Sequence, residues 1–339
     1  MHAPLKRSPV ETDPRSLVQI LSAYRQPNGV RSTYEIGVTL LPFAALWVLT
    51  YLTLAAGYIA GILLTIPAGL FLLRLFLVQH DCGHDAFFQG RAANKWVGRL
   101  LGVLTLTPFD SWRRAHAIHH AGTGNLDSRG VGDVDTLTVA EFRSRSPMKR
   151  LLYRLYRSPI VLFGIGPAYI FLLRHRFPLG PTQGKLRPWL SAFGTNAAIA
   201  VTAGLLIWAI GLKLFLLVHI PIALVAASLG VWFFYVQHQF EETMWDRDED
   251  WTFHHAALHG SSHYALPGVL RWFTANVGVH HVHHLASRIP FYRLGEVLRD
   301  MPSLAATSRV TVRESLGLVK LVLWDEEKRR LVSFREARG

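Results

Sequence analysis

Hydrophobic positions in this chain gather into long runs, and four of the runs come in two closely spaced pairs. Ile36–Gly57 and Ile59–Gln79 form the first pair, with Gly57 and Tyr58 as the only connection. Trp189–Ile210 and Lys213–Gln237 form the second, joined by Gly211 and Leu212. Each run is close to the ~20 residues a helix needs to cross a bilayer. Connections this short make antiparallel hairpins. The pattern predicts an all-α membrane protein with spans at about 36–57, 59–79, 189–210 and 213–237. Arg74 falls about two turns before the end of the second span, where it either snorkels or faces protein.

Between the pairs no run reaches spanning length. Trp96–Phe109 is broken by Gly98, Gly102 and Pro108, and Ile160–Leu173 by Gly164, Gly166 and Pro167. Such lengths fit interfacial or re-entrant helices. Everything after His238 is punctuated by polar residues, and the charge run Asp325–Arg330 reads as a solvated helix face. Residues 1–35 have no apolar core of a signal peptide and read as a cytoplasmic leader. Residues 36–339 then make one membrane domain, capped by residues 80–188 and 238–339.

Composition sharpens the orientation. Half of the 339 residues are hydrophobic, yet the formal charge is +13. In a soluble chain that charge would point to nucleic acid; beside a membrane it points to anionic headgroups, and no nucleic-acid partner is expected. Lys and Arg number 5 before the first span, 16 in Asp81–Pro188 and 13 after His238, with only Lys213 in a turn on the other side. By the positive-inside rule the large segments are cytoplasmic. Cys82 is the single cysteine, which excludes an intrachain disulfide and any Cys-based zinc or iron–sulfur site within the chain.

The chemistry lies in the histidines. Seventeen are present, and three clusters sit just outside the spans: His80-Asp-Cys-Gly-His84, His116-Ala-Ile-His119-His120 and His280-His281-Val282-His283-His284. Offsets of three and four residues put imidazoles on one helical face. Imidazole is a ligand for zinc, copper, iron and nickel alike. Eight such histidines plus His238, which ends the fourth span, exceed the needs of one tetrahedral ion. Two metal ions sharing a cytoplasmic helical cap is the economical reading. His281 breaks the HxxHH spacing and is expected to lie beside the ligands. Asp81, Asp85, Glu241 and Glu242 are candidates to accept hydrogen bonds from ligand imidazoles. Asn276 could reach metal through water, or cap or pack. His254, His255, His259 and His263 have no assigned role. Ligand type alone does not choose the metal.

HDCGH, HAIHH and HHVHH resemble the three histidine boxes of the integral-membrane fatty acid desaturases, in that family's order and membrane placement. WRRAHAIHHAGTGNLDSRGVGDV, YRLYRSP, WFFYVQHQFE, GSSHYALP, WFTANVGVHHVHHL and LWDEEKRRLVSFRE are similar to a bacterial acyl-lipid group of that family. The likeness runs from about His80 to Phe334. It implies an oxygen-dependent, di-iron desaturase of the bacterial inner membrane. His80, His84, His116, His119, His120, His238, His280, His283 and His284 would be the ligands. It implies dioxygen as co-substrate and a membrane phospholipid acyl chain entering an apolar channel between the hairpins. Trp232 and Phe233 are candidate channel walls, or alternatively part of an interfacial aromatic belt. No haem-binding segment is evident, so two electrons are expected from an external carrier of the ferredoxin or flavodoxin kind. A membrane hydroxylase or ketolase of the same di-iron type is the nearest alternative. A metal transporter would instead place its ligands at mid-membrane on broken helices.

Overall fold

The computed structural model describes residues 14–178 and 186–338, so the first thirteen residues of the leader lie outside the described residues. Four helices are long and apolar enough to span a membrane: Gly29–Ala55, Ile59–Gly83, Leu186–Ile210 and Leu212–His238. They exceed the apolar runs at the ends facing the histidines, where Ser32 and Glu35 of the first span and His80 and Asp81 of the second are buried. The second span opens as a 3-10 segment, Ile59–Leu64, before turning α-helical. Both tight turns rest on glycine at positive φ, Gly57 at 85° and Gly211 at 81°, a backbone region that other residues enter at a cost.

The second span is the central helix, with 56% of its apolar window buried against 17% and 6% in the first and third. It packs along the fourth span, where Gly69 admits Val225: a Cβ at Gly69 would lie 2.5 Å from the valine methyl. Arg74 faces protein. It is 1% exposed, pairs with the equally buried Glu35 of the first span, and donates from Nε to Thr39 Oγ1 at 3.1 Å. Another guanidinium nitrogen donates to the Trp272 carbonyl, and the group lies 4.0 Å from the Trp272 ring centroid. One side chain thus joins both helices of the first hairpin to the cap.

Two further helices, Arg91–Leu104 and Phe109–Gly122, follow the first hairpin. The run Ile160–Leu173 winds into two π-helical turns, Val161–Ile165 and Tyr169–Leu173. With Pro147–Tyr156 it makes a pair bent by 60°. Phe163 of this bent pair packs on Trp232 at 5.1 Å and Tyr235 at 5.3 Å. Among the described residues, five short strands trim the helical cap. Strands β1 (Leu137–Thr138), β2 (His263–Ala265), β3 (Arg309–Thr311), β4 (Leu323–Asp325) and β5 (Arg330–Val332) form a β1-β4-β5 sheet and a β2-β3 pair.

The run Asp325–Arg330 is therefore not a helix face but a hairpin turn with its flanking strand ends. Leu323 and Trp324 pair with Val332 and Leu331, and burial of these four residues determines the local structure while the charges from Glu326 to Arg330 stay in water. The sheet is fastened to the cap by Tyr153, whose hydroxyl donates to the Val322 carbonyl at 2.6 Å. Arg157 adds contacts to Leu321 O at 2.8 Å and Gln239 Oε1 at 2.9 Å.

Candidate metal centre

The spans deliver imidazoles at their ends. His80 is in the last turn of the second span and His84 caps it; His238 is the last residue of the fourth. Helix Phe109–Gly122 carries His116, His119 and His120. His280–Leu285 is a six-residue helix with every residue buried. Its entry is fixed by the Ser262 carbonyl, which accepts from the backbone N–H of His280 at 3.2 Å and His281 at 3.3 Å.

These elements bring nine imidazoles into two groups. His80, His84, His116, His120 and His283 form the first; His119, His238, His280 and His284 form the second. Within each group the candidate ligand atoms all lie within 4.8 Å of one another. The middle helix contributes to both groups because His119 points away from His116 and His120. The last helix does the same, with His283 in one group and His280 and His284 in the other. His120 and His284 stack across the divide, 4.0 Å between centroids.

The nitrogen contacts test whether metal fits. His84, His116, His120 and His283 form a chain of Nε2 contacts at 3.0, 3.1 and 3.2 Å. His280 Nε2 lies 3.0 Å from both His238 Nε2 and His284 Nε2. A ring nitrogen of neutral imidazole carries one N–H or one lone pair. His116, His120 and His280 therefore cannot satisfy two such neighbours with ordinary hydrogen bonds. Two ligand nitrogens at right angles on one ion, with bonds of about 2.1 Å, are about 3.0 Å apart. His119 Nε2 is buried with no hydrogen-bond partner at all. Convergent lone pairs and an orphaned ligand atom are what a cation in each group would satisfy.

Electrostatics agree. Burial, reinforced by neighbouring imidazoles, holds His84, His116, His120, His280, His283 and His284 well below the ordinary histidine range. They are neutral at physiological pH, the state in which imidazole offers a lone pair to metal. No thiolate or carboxylate belongs to either group; Cys82 is buried and free.

Of the four acids the sequence pattern singled out, Asp81 meets a ligand imidazole and the other three do not. Asp81 lies 3.3 Å from His80 Nδ1 and accepts the Phe291 N–H at 2.6 Å. Asp85 pairs with Arg113 at 2.7 Å rather than with a histidine. Glu241 and Glu242 are exposed. Asn276 packs, donating to the Phe291 carbonyl at 3.0 Å. His281 turns away from both groups to the Leu304 carbonyl at 2.8 Å. His263 Nδ1 meets the Ala305 carbonyl at 2.7 Å, while the His255 and His259 rings lie tilted against each other at 4.6 Å; His254 is likewise outside both groups.

The acceptor that the pattern did not reveal is Asp133, hydrogen-bonded to His119 Nδ1. It sits in the glycine-rich loop after the second cluster. There Gly132, at φ 75°, leaves a missing Cβ only 3.3 Å from that of His119. A larger residue would be strained by φ and would push the loop off the helix. Carboxylate, imidazole and the orphaned Nε2 lie in series, the arrangement that orients a metal-bound histidine. Replacing Asp133 by Ala is expected to weaken metal retention about 10- to 100-fold. Chelator competition on the purified protein would measure it, and unchanged retention would remove Asp133 from the centre. The signal was an acid in a Gly-x-Gly loop thirteen residues beyond His120.

A cavity of about 470 Å³ ends on His80, His116 and His280, which come from both groups. Its walls are mainly apolar and include Leu73, Phe76 and, on the fourth span, Ala223, Ala227 and Phe233. Ala223 is fifteen residues before His238, or about 22 Å along a helix. Phe233 lines the cavity; Trp232 does not, packing instead on Phe163.

Comparison with known proteins agrees with this geometry. A family model described as fatty acid desaturase matches residues 56–315. A fatty acid desaturase of Bacillus subtilis is 41% identical over 321 residues, covering 95% of this chain and 91% of that one. Two Synechocystis proteins are also similar. An sn-1 oleoyl-lipid 12-desaturase is 30% identical and covers 73% of each chain. An sn-1 acyl-lipid omega-3 desaturase (ferredoxin) is 29% identical over 65% of this chain and 61% of its own.

Proposed function

The chain belongs to the fatty acid desaturase family and is an oxidoreductase, and we propose that it inserts a cis double bond into an acyl chain of a membrane lipid. The reaction takes dioxygen as co-substrate at two iron ions held by the nine grouped histidines. The observation that carries this reading is the apolar cavity ending on imidazoles of both groups. A chain threaded into it would present methylenes to the centre while its remainder lies between the second and fourth spans.

The ions supply the oxidising power needed to remove hydrogen from unactivated methylenes, which no side-chain acid or base can do. The protein does the rest. Neutral imidazoles keep lone pairs available, Asp133 holds the His119 ring, and the Gly260 carbonyl, 3.1 Å from His238 Nδ1, holds the His238 ring. Phe234, whose ring lies 5.1 Å from those of both His119 and His238, puts an apolar side chain between the cavity and these two imidazoles of the second group. Cavity walls fix which carbons stop beside the imidazoles. The loop charges support a cytoplasmic centre in a bacterial inner membrane. The similar Synechocystis omega-3 desaturase (ferredoxin) supports a ferredoxin-type electron donor.

Expression in a host lacking the activity tests the proposal. Gas chromatography–mass spectrometry of the host lipids should show a new acyl alkene that disappears when oxygen is withheld. A hydroxylated chain in place of the alkene would assign a hydroxylase instead, and unchanged lipids would overturn the reading.

A further inference from the structure

A second and larger cavity, about 1020 Å³, lies on the same side of the spans as the histidines and has the opposite character. Five arginines line it: Arg31, Arg271, Arg293, Arg299 and Arg309, against one acid, Glu296. Arg31 is paired with Glu35 at 2.7 Å and Arg293 with Glu296 at 2.9 Å. Arg271, Arg299 and Arg309 are exposed and have no acidic partner among the described residues. Three unpaired guanidinium groups around one concavity make a field that attracts an anionic partner and repels a cationic one.

Its position says what that partner does. Residues 276–280 separate the two cavities as a single strand of chain. Val277 and His280 line the apolar cavity, whereas Asn276, Gly278 and Val279 line the arginine dish. The dish floor is thus one peptide bond from a histidine of the second group. Gly278 lets this wall stay thin: a Cβ there would lie 2.4 Å from the Tyr264 carbonyl. A lipid whose acyl chain occupies the apolar cavity has its chain on the other side of this wall. The dish therefore faces the centre without facing the substrate.

We propose that this arginine dish is the docking surface for an acidic one-electron carrier protein, a proposal that rests on the desaturase reading above. Making one alkene removes two hydrogens with two electrons from the acyl chain. Two further electrons and two protons bring one dioxygen to two waters. Two reduced carriers, docking in turn, each give up one electron and leave oxidised. Docking over Val279 brings the carrier's redox group to the back of the histidine centre by a short path, with the acyl cavity undisturbed. Charge complementarity of this kind raises association rate and makes it fall with salt.

The test uses the full-length, iron-loaded enzyme in neutral-lipid nanodiscs, with a reduced plant-type [2Fe–2S] ferredoxin as the probe. In the triple variant Arg271→Glu, Arg299→Glu, Arg309→Glu the KM for ferredoxin should rise about tenfold or more while kcat holds. Its salt dependence should flatten, and dithionite should bypass the defect. The same reversal at Arg145, Lys149 and Arg150, elsewhere on the cap, should change KM less than twofold. Equal effects of the two triples, or an unchanged KM in the first, would overturn the proposal. So would loss of binding to anionic phosphatidylglycerol vesicles with ferredoxin KM intact, which would assign the dish to lipid. If the wild type makes no alkene even with dithionite, it is the desaturase reading that fails, not the location of the dish.

Discussion

His283→Ala should abolish desaturation, with product falling by a hundredfold or more, because even residues that only orient a metal ligand are typically worth 10- to 100-fold. His283 Nε2 lies 3.2 Å from His120 Nε2, and its ring is 4.6 Å from that of His80 and 4.7 Å from that of His84. Removing it opens the first group on the side of the last helix. Iron per chain, measured on the purified protein, should fall below the wild-type value even where the fold is retained. His281→Ala supplies the contrast. It lies on the same six-residue helix but meets the Leu304 carbonyl, outside both groups. That variant should keep its iron and lose about 1–3 kcal/mol of stability, because the buried Leu304 carbonyl is left without its imidazole partner. Equal iron content in the two variants would refute the grouping as a metal centre.

The second large effect concerns Arg74 and Glu35. Both are almost completely buried, at 2% and 1% side-chain exposure, so removing one strands the other's charge. Glu35→Ala is expected to destabilise the protein by about 3–5 kcal/mol. Fluorescence-detected thermal aggregation of the detergent-solubilised protein would register this as a lower transition temperature. Replacing both residues with Leu and Met should recover much of the loss, since an apolar pair leaves no uncompensated charge. A single variant as stable as wild type would show that water reaches Arg74 in the folded protein. The iron content of Glu35→Ala, measured below its transition, should stay near wild type, which separates this effect from a loss of ligands.

The spans and the histidine clusters were legible in the sequence for different physical reasons. A span announces itself because every residue over about 20 positions must suit hydrocarbon. The histidines announce themselves because helical spacing is short-range, so HAIHH carries its own geometry. What they do at long range is less visible. Nothing local says that His119 belongs with His238 and His280 while its neighbours His116 and His120 belong with His84 and His283. Asp133 was hidden because its partnership depends on loop closure at Gly132, whereas proximity in sequence pointed to Asp81, which does meet His80, and to Asp85, which does not meet a histidine. Trp232 and Phe233 are adjacent on one helix and face different neighbours, a 100° difference that composition cannot assign. Charge in Asp325–Arg330 drew attention from the buried Leu323, Trp324, Leu331 and Val332 that fold it into a hairpin.

The helix His280–Leu285 has only six residues, too few to be stable alone. It nevertheless supplies both histidine groups, as does the helix Phe109–Gly122. If each group holds an ion, loading should be cooperative. An ion bound by either group would clamp the same two helices and pre-order the other, and an ion lost from one would loosen both. Titration of iron into the empty protein should pass from none to two with little of the singly loaded form. Damage to one half of the centre would then become loss of the whole, and a half-loaded enzyme would be a short-lived species.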